Sequence, residues 1–118
     1  MDRRIALTGS ASPVEQIRDQ IRGLIATGQL AAGEPLPSVR QLAKDLAIAP
    51  GTAAKAYRAL EQEGLVETRI GGGTRVSATA SSTPGPVLDH ARGLVDASLQ
   101  TGVDVEDAVR IVRAIWPR

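Results

Sequence analysis

From Val14 onward the apolar residues Val14, Ile17, Ile21, Leu24 and Ile25 recur three and four positions apart, which places them on one face of a helix. Ser12, Pro13 and Glu15 together predict a capping box at its start, and Gly28 stops the pattern. The connection Ala31 to Pro37 is rich in turn residues. Its two prolines around Leu36 favour extended backbone and a short edge strand. Ser38 and Gln41 form a second S-x-x-Q box, opening a helix of about nine residues with Val39, Leu42, Ala43 and Leu46 as its apolar positions. A tight bend, Ala47-Ile48-Ala49, follows at once. Pro50 suits the first turn of a third helix that runs to Glu63, with Ala53, Ala56, Tyr57 and Leu60 on its apolar side and Gly64 as a left-handed cap.

After Gly64 the period changes from helical to alternating. Leu65 to Ile70 and Thr74 to Val76 read as two strands around the glycines 71 to 73. Ser77 to Pro86, SATASSTPGP, has the composition of a mobile or loosely packed linker. Beyond it, Val87 to Leu99 carries Leu88, Ala91, Leu94, Val95 and Leu99 at helical spacing, and Gly102 closes the helix. Asp104 caps a last helix with Val105, Ala108, Val109, Val112, Ile115 and Trp116 as apolar positions. Two short amphipathic helices cannot bury their own faces fully against each other, so a partner surface is implied.

The chain of 118 residues is long enough for one modest core and a small appendage. That core draws on Ala, Val, Leu and Ile, with one Trp, one Tyr and no Phe, which suits helices better than a β-sandwich. The absence of Cys excludes disulfides and thiolate metal sites and is compatible with a reducing compartment. The start, MDRRIALTGSAS, has only a three-residue apolar run, well short of a signal-peptide core, and no stretch approaches the roughly 20 apolar residues of a membrane span. The expected location is cytoplasmic. Net charge is only +1, but residues 1–80 hold 10 basic and 8 acidic side chains against 4 and 5 in residues 81–118. Any polyanion is therefore expected on the N-terminal part.

Two helices joined by a three-residue bend, the second presenting Gly51, Thr52, Ala54, Lys55 and Arg58 away from its apolar side, have the layout of a helix-turn-helix. Ala43 and Ala47 supply the small residues that a close helix crossing needs. The hairpin directly after the second helix makes the wing of a winged helix. The glycines at its tip are not a nucleotide-binding loop, because no Gly-Lys-Ser/Thr follows and the chain leaves them into a strand. They permit positive φ and close approach to a DNA backbone. The predicted fold is mainly α with a small β-hairpin: a winged helix-turn-helix over 12–77, a linker over 78–86, and a two-helix segment over 87–118 that offers the implied partner surface.

Residues 13–76 resemble the N-terminal domain of GntR-family bacterial transcription regulators. The resemblance is carried by Ile17-x3-Ile21, by Gly28-Gln-Leu-x2-Gly33-x-Pro-Leu-Pro-Ser-Val-Arg-Gln-Leu-Ala43, by Ala56-Tyr-Arg-Ala-Leu-Glu-Gln-Glu-Gly-Leu65 and by Gly71-Gly-Gly-Thr74. The remaining two helices, without a large effector domain, are similar to the short YtrA-like branch, whose C-terminal helical pair mediates dimerisation. The resemblance implies a homodimeric repressor on an inverted-repeat operator, of a kind often found near transporter genes, controlling a transporter or stress operon. It further implies that Arg40 contacts phosphate, that Pro50, Gly51, Thr52 and Lys55 open the recognition helix, and that Gly72 and Gly73 tip the wing. Ser38, Arg69 and Thr74 complete the expected DNA-binding set. The expected dimer interface is Leu88, Ala91, Val95, Val109, Val112, Ile115 and Trp116. The chain departs from the family where Ser or Thr often caps the recognition helix and Asn often follows the proline. Here stand Ala49 and Gly51, which points to a distinct operator or weaker specificity.

Plainer roles compete at several positions. Arg40 and Lys55 are assigned to DNA over ordinary solvated side chains, whereas Arg58 is read as pairing with Glu61 or Gln62. Of Arg69 and Arg75, one is expected at phosphate and the other at a strand edge that it blunts. Tyr57 is read as core rather than a base-stacking platform, and Trp116 as an interface anchor rather than a ligand gate. His90 lacks partners for a metal site, and Asp104, Glu106 and Asp107 suit a helix N-terminus. No metal or cofactor is expected, and no nucleophile–base pair suggests an enzyme. A winged-helix protein-interaction module without a specific operator is the opposing possibility. A small-molecule effector stays open, since so small a helix pair has room for a pocket of several hundred cubic ångströms only between subunits.

Overall fold

The computed structural model describes residues 5–80 and 82–118. The chain divides into two compact units, one running to Ser82 and the other spanning Thr83–Arg118. The first holds α1 (Pro13–Ala26), α2 (Val39–Leu46), α3 (Pro50–Gln62), β1 (Val66–Arg69) and β2 (Gly73–Val76). The second holds α4 (Gly85–Thr101) and α5 (Val105–Ile115).

The periodicities place the core of the first unit as expected. Ile17 and Ile21 of α1, Leu42 of α2 and Ala53, Ala56 and Leu60 of α3 are fully buried, and Val66 and Val76 close the core from the hairpin. Burial of each large aliphatic side chain is worth about 1.5–3 kcal/mol, so α1 and the α2–α3 pair are held chiefly by this shared interior. Ion pairing across the rim adds little. Arg22 of α1 meets Glu63 at 2.6 Å, but both side chains remain substantially exposed.

Three local features differ from the sequence expectation. Ser12 stands at the N-cap of α1 without a side-chain capping bond, and Glu15 turns to Arg18 instead of reaching back. Pro13 leaves one amide fewer to satisfy at this end, and Gln16 and Gln20 of α1 are engaged by the preceding segment. The Gln20 amide accepts from Ala6 N (2.9 Å) and donates to Ala6 O (2.7 Å), while Gln16 Oε1 accepts from Thr8 N (2.8 Å). These clamps lay the segment on α1 and seat Ile5 in the core, a role its short apolar run did not suggest. Finally, Ser77 to Ala80 does not behave as a loose linker. Ser77 N donates to Leu65 O, Ser77 is buried, and Ala80 packs against the core; α4 then starts at Gly85, two residues before its apolar stripe.

The edge strand expected between α1 and α2 is present in reduced form. Pro35 bridges Arg75, and the ladder is extended by Leu36 N to Thr74 O (2.8 Å) and Val76 N to Glu34 O (2.8 Å). Proline offers no donor, so the contact stays a bridge at the side of the two-stranded sheet.

In the second unit Gly102 closes α4 with φ +76°, and Asp104 caps α5 by accepting from Asp107 N at 2.8 Å. Leu94, Ser98, Ala108 and Val112 lie between the two helices, and Leu88 is half-buried. Ala91, Val95, Leu99, Val105, Val109, Ile115 and Trp116 remain exposed. Along the pair runs an apolar groove of about 440 Å³ lined by Leu94, Val95, Val109 and Val112, with Arg113 at its edge. Among the described residues, no helix is long and apolar enough to cross a membrane.

Candidate nucleic-acid interface

The bend between α2 and α3 is built on Ala47, the one described non-glycine residue with positive φ (+55°, ψ +46°). It reverses the chain within three residues, and Ile48 N returns to Ala43 O at 3.0 Å. Ala49 then takes extended backbone and Pro50 occupies the first helical turn, where its fixed φ is already helical and no donor is lost. Burial of Ala53, Ala56, Tyr57 and Leu60 turns the opposite side of α3 to solvent. Gly51, Lys55 and Arg58 lie on that side, four and three residues apart, in one stripe flanked by half-buried Thr52 and Ala54.

Arg58 does not pair with Glu61 or Gln62. Lys55, Arg58 and, on α2, Arg40 are exposed and form no hydrogen bond or ion pair among the described residues. Cations left this way are available to an external anion. Ser38 caps α2 through its Oγ, which accepts from Gln41 N at 3.1 Å, so its hydroxyl proton is left to donate outward. The Gln41 side chain does not complete the box. It donates to Asp45 Oδ1 at 2.7 Å, and that hydrogen bond is the main reason the exposed Asp45 carboxyl sits below the usual carboxylate range.

The wing is an antiparallel pair with Val66 opposite Val76 and Arg69 opposite Gly73. Gly72 N donates to Arg69 O at 3.0 Å, which closes a turn with Ile70 and Gly71 at its corners. Gly71 (φ +77°) and Gly73 (φ +71°) carry the left-handed conformations. Gly72 does not; there the demand is for space, because an added Cβ would lie 3.2 Å from Arg69 Cβ.

Three helices, a helix-turn-helix bend and a wing hairpin in this order make a winged helix. The pattern of the family described as "Bacterial regulatory proteins, gntR family" matches residues 13–76, more than half of the chain. The chain belongs to the GntR family.

Among its relatives is the HTH-type transcriptional repressor YtrA of Bacillus subtilis, 44% identical over 63% of this chain and 58% of its own length. The match thus spans somewhat more than half of that repressor. YtrA from Sulfolobus acidocaldarius, a GntR-family transcription factor, superposes with a TM-score of 0.55 at 31% identity, covering 81% of this chain and 95% of its own. AraR(DBD), solved in complex with an operator, superposes with a TM-score of 0.54 at 25% identity, over 61% of this chain and 92% of its own.

In this GntR-family chain the expected DNA-binding residues are not equivalent. Ser38, Arg40, Pro50, Gly51 and Lys55 are exposed at the starts of α2 and α3, with Thr52 half-buried beside them. Gly72 and Gly73 lie at the exposed wing tip. Arg69 is also exposed, though its guanidinium is held by Glu67 at 3.1 Å. Thr74 is the exception. Strand alternation turns its side chain to the inner face beside Val76, where it is only 7% exposed, so that side chain is not offered to a ligand. Arg75, on the outer face, is half-buried with Nε shielded from solvent. Two residues outside the expected set share these positions. Gly71 takes a left-handed conformation that the triple-glycine run signalled, and Arg58 extends the stripe of Gly51 and Lys55 at a helical spacing visible in the sequence.

Proposed function

We propose that the protein is a sequence-specific DNA-binding transcriptional repressor that acts as a homodimer on an inverted-repeat operator. The observation that carries this reading is the solvent-facing start of α3. There Gly51 and Lys55 stand exposed next to Thr52, Arg58 continues the stripe, and neither cation has a partner among the described residues. Small residues let the helix approach base edges in the major groove, and the cations meet phosphates or guanine edges. Arg40 and Ser38, at the start of α2, supply backbone contacts that fix the register, and the wing lies along the adjoining backbone.

The partner surface is assigned to α4 and α5. Val95, Val109, Ile115 and Trp116 stay exposed in the single chain, and the groove between the helices is open to a second copy. Pairing two copies sets two α3 helices on successive major grooves, roughly 34 Å apart or a related spacing.

Selection of genomic fragments at graded salt tests the reading. Fragments sharing an inverted repeat are the expected result, and their neighbouring genes would identify the targets. Retention without any sequence preference would sink it in favour of a protein-interaction module.

A further inference from the structure

We infer that Ile70 is a specificity-determining residue of the DNA interface: carried into the minor groove at the wing tip, it discriminates against G·C pairs by contact with the guanine 2-amino group. The inference rests on the proposed DNA-binding function and adds to it a residue and a recognition chemistry.

Ile70 is 108% exposed, the largest value among the exposed large hydrophobic residues described. The other exposed apolar residues in that set, from Val87 to Trp116, all lie in the second unit; among the described residues Ile70 is the one of them in the first unit. Its side chain is not part of the core formed by the described residues. Val66 already closes the core from β1, and Ile70 stands beyond the last strand residue, at a corner of the turn closed by Gly72 N and Arg69 O.

The remainder of the tip is glycine 71 to 73, with no side chain at all. The nearest charged group, Arg69, is drawn back toward Glu67 along β1. A wing approaching DNA therefore leads with one β-branched apolar side chain on a narrow backbone. A cationic tip would seek phosphates, whereas this one gains only where it leaves water.

The minor groove offers such a place when its floor lacks a protruding group. A·T pairs present only acceptors there, while G·C adds the guanine 2-amino group on the floor. Apolar side chains of this size are also the kind that enter between base steps from that side. A rigid β-branched residue filling the space is incompatible with the amino group, so the preference takes the form of exclusion.

The test uses a fragment selected by the wild-type full-length protein. Each A·T pair outside the major-groove contacts is replaced in turn by G·C and by inosine·C, which keeps the G·C major-groove face but lacks the 2-amino group. Wild type is expected to lose affinity about tenfold on G·C at the wing positions and to recover it on inosine·C. Ile70→Ser should bind the original fragment about tenfold more weakly, treat the two replacements alike, and keep the wild-type salt slope, since no charge is removed. Arg69→Ala, in contrast, should lower the slope while keeping the discrimination. Wild-type affinity in Ile70→Ser, or retained discrimination by it, would overturn the inference alone. If wild type selects no fragment, the DNA-binding function falls and the inference with it.

Discussion

The hydroxyl of Tyr57, in the middle of α3, donates a 2.7 Å hydrogen bond to the carbonyl of Pro37, immediately ahead of the α2 cap. The bond ties the helix that carries Lys55 and Arg58 to the segment that carries Ser38 and Arg40. Tyr57→Phe keeps the ring in the core and leaves the part-buried carbonyl without its partner. A loss of about 1–2 kcal/mol in unfolding free energy is expected. In a domain of this size it should appear as a fall in Tm of about 4–8 °C per kcal/mol. An unchanged Tm would mean that water replaces the hydroxyl.

Burial also raises the Tyr57 pKa above its ordinary value of 10.0. A raised folded-state pKa contributes stability that is complete below the unfolded value and is lost as pH climbs toward the folded one. The first unit is therefore expected to lose stability above about pH 10. Tyr57 is the only tyrosine, so tyrosinate absorbance reports it alone. Expected is no ionisation near pH 10 in the folded protein and a rise that coincides with unfolding; ionisation at the ordinary value with the fold intact would contradict the burial.

Ala47 adopts a left-handed conformation with its methyl exposed. For an L-residue this costs about 1–2 kcal/mol, partly offset in any glycine replacement by the greater freedom of unfolded glycine. Ala47→Gly should raise unfolding free energy by about 0.5–1 kcal/mol in chemical denaturation. Destabilisation would show that the Ala47 methyl has a packing role in the bend.

Much of the fold was legible because burial follows the repeats. Ile17, Ile21, Leu42, Ala56 and Leu60 each sit at a helical period and end in the core. The errors fall where a side chain chooses between partners of similar energy. Ser12 and Glu15 have the spacing of a capping box, yet Glu15 pairs with Arg18 and the exposed helix end is left to solvent. Ile5 is invisible to periodicity because its anchoring depends on Gln16 and Gln20, which are distant along the chain and polar. Burial of the Thr74 side chain follows from the two-residue alternation that places it beside Val76, a register that only the paired hairpin fixes. At the interface, the residue types on α3 were readable, whereas the partners their cations do or do not find inside the chain require the folded geometry.

Arg40 is exposed on the first turn of α2 and has no partner among the described residues. Its assignment to phosphate predicts that Arg40→Ala weakens operator and unrelated DNA by the same factor and lowers the slope of log affinity against log salt by about one. Titrations of both DNAs at several salt concentrations check this. A change confined to base preference would place Arg40 at a base edge instead.

Ile115 ends α5 and Trp116 caps it, with 77% and 70% of their surfaces exposed, and Trp116 lies in one groove with Val112. In a dimer held through α4 and α5 they lose that exposure, and a carboxylate at either position would be buried without a partner. Ile115→Asp and Trp116→Asp should therefore be monomers by sedimentation at concentrations where wild type is dimeric. Because α1 to α3 and the hairpin form a separate compact unit, each variant should keep its helix-turn-helix folded and its single-site contacts intact. Affinity for a full inverted repeat should then fall by about 100-fold or more, since two half-sites no longer share one binder, while affinity for an isolated half-site stays near wild type. A variant that remained dimeric would move the interface off these two residues. One that became monomeric yet kept full operator affinity would remove dimerisation from DNA recognition.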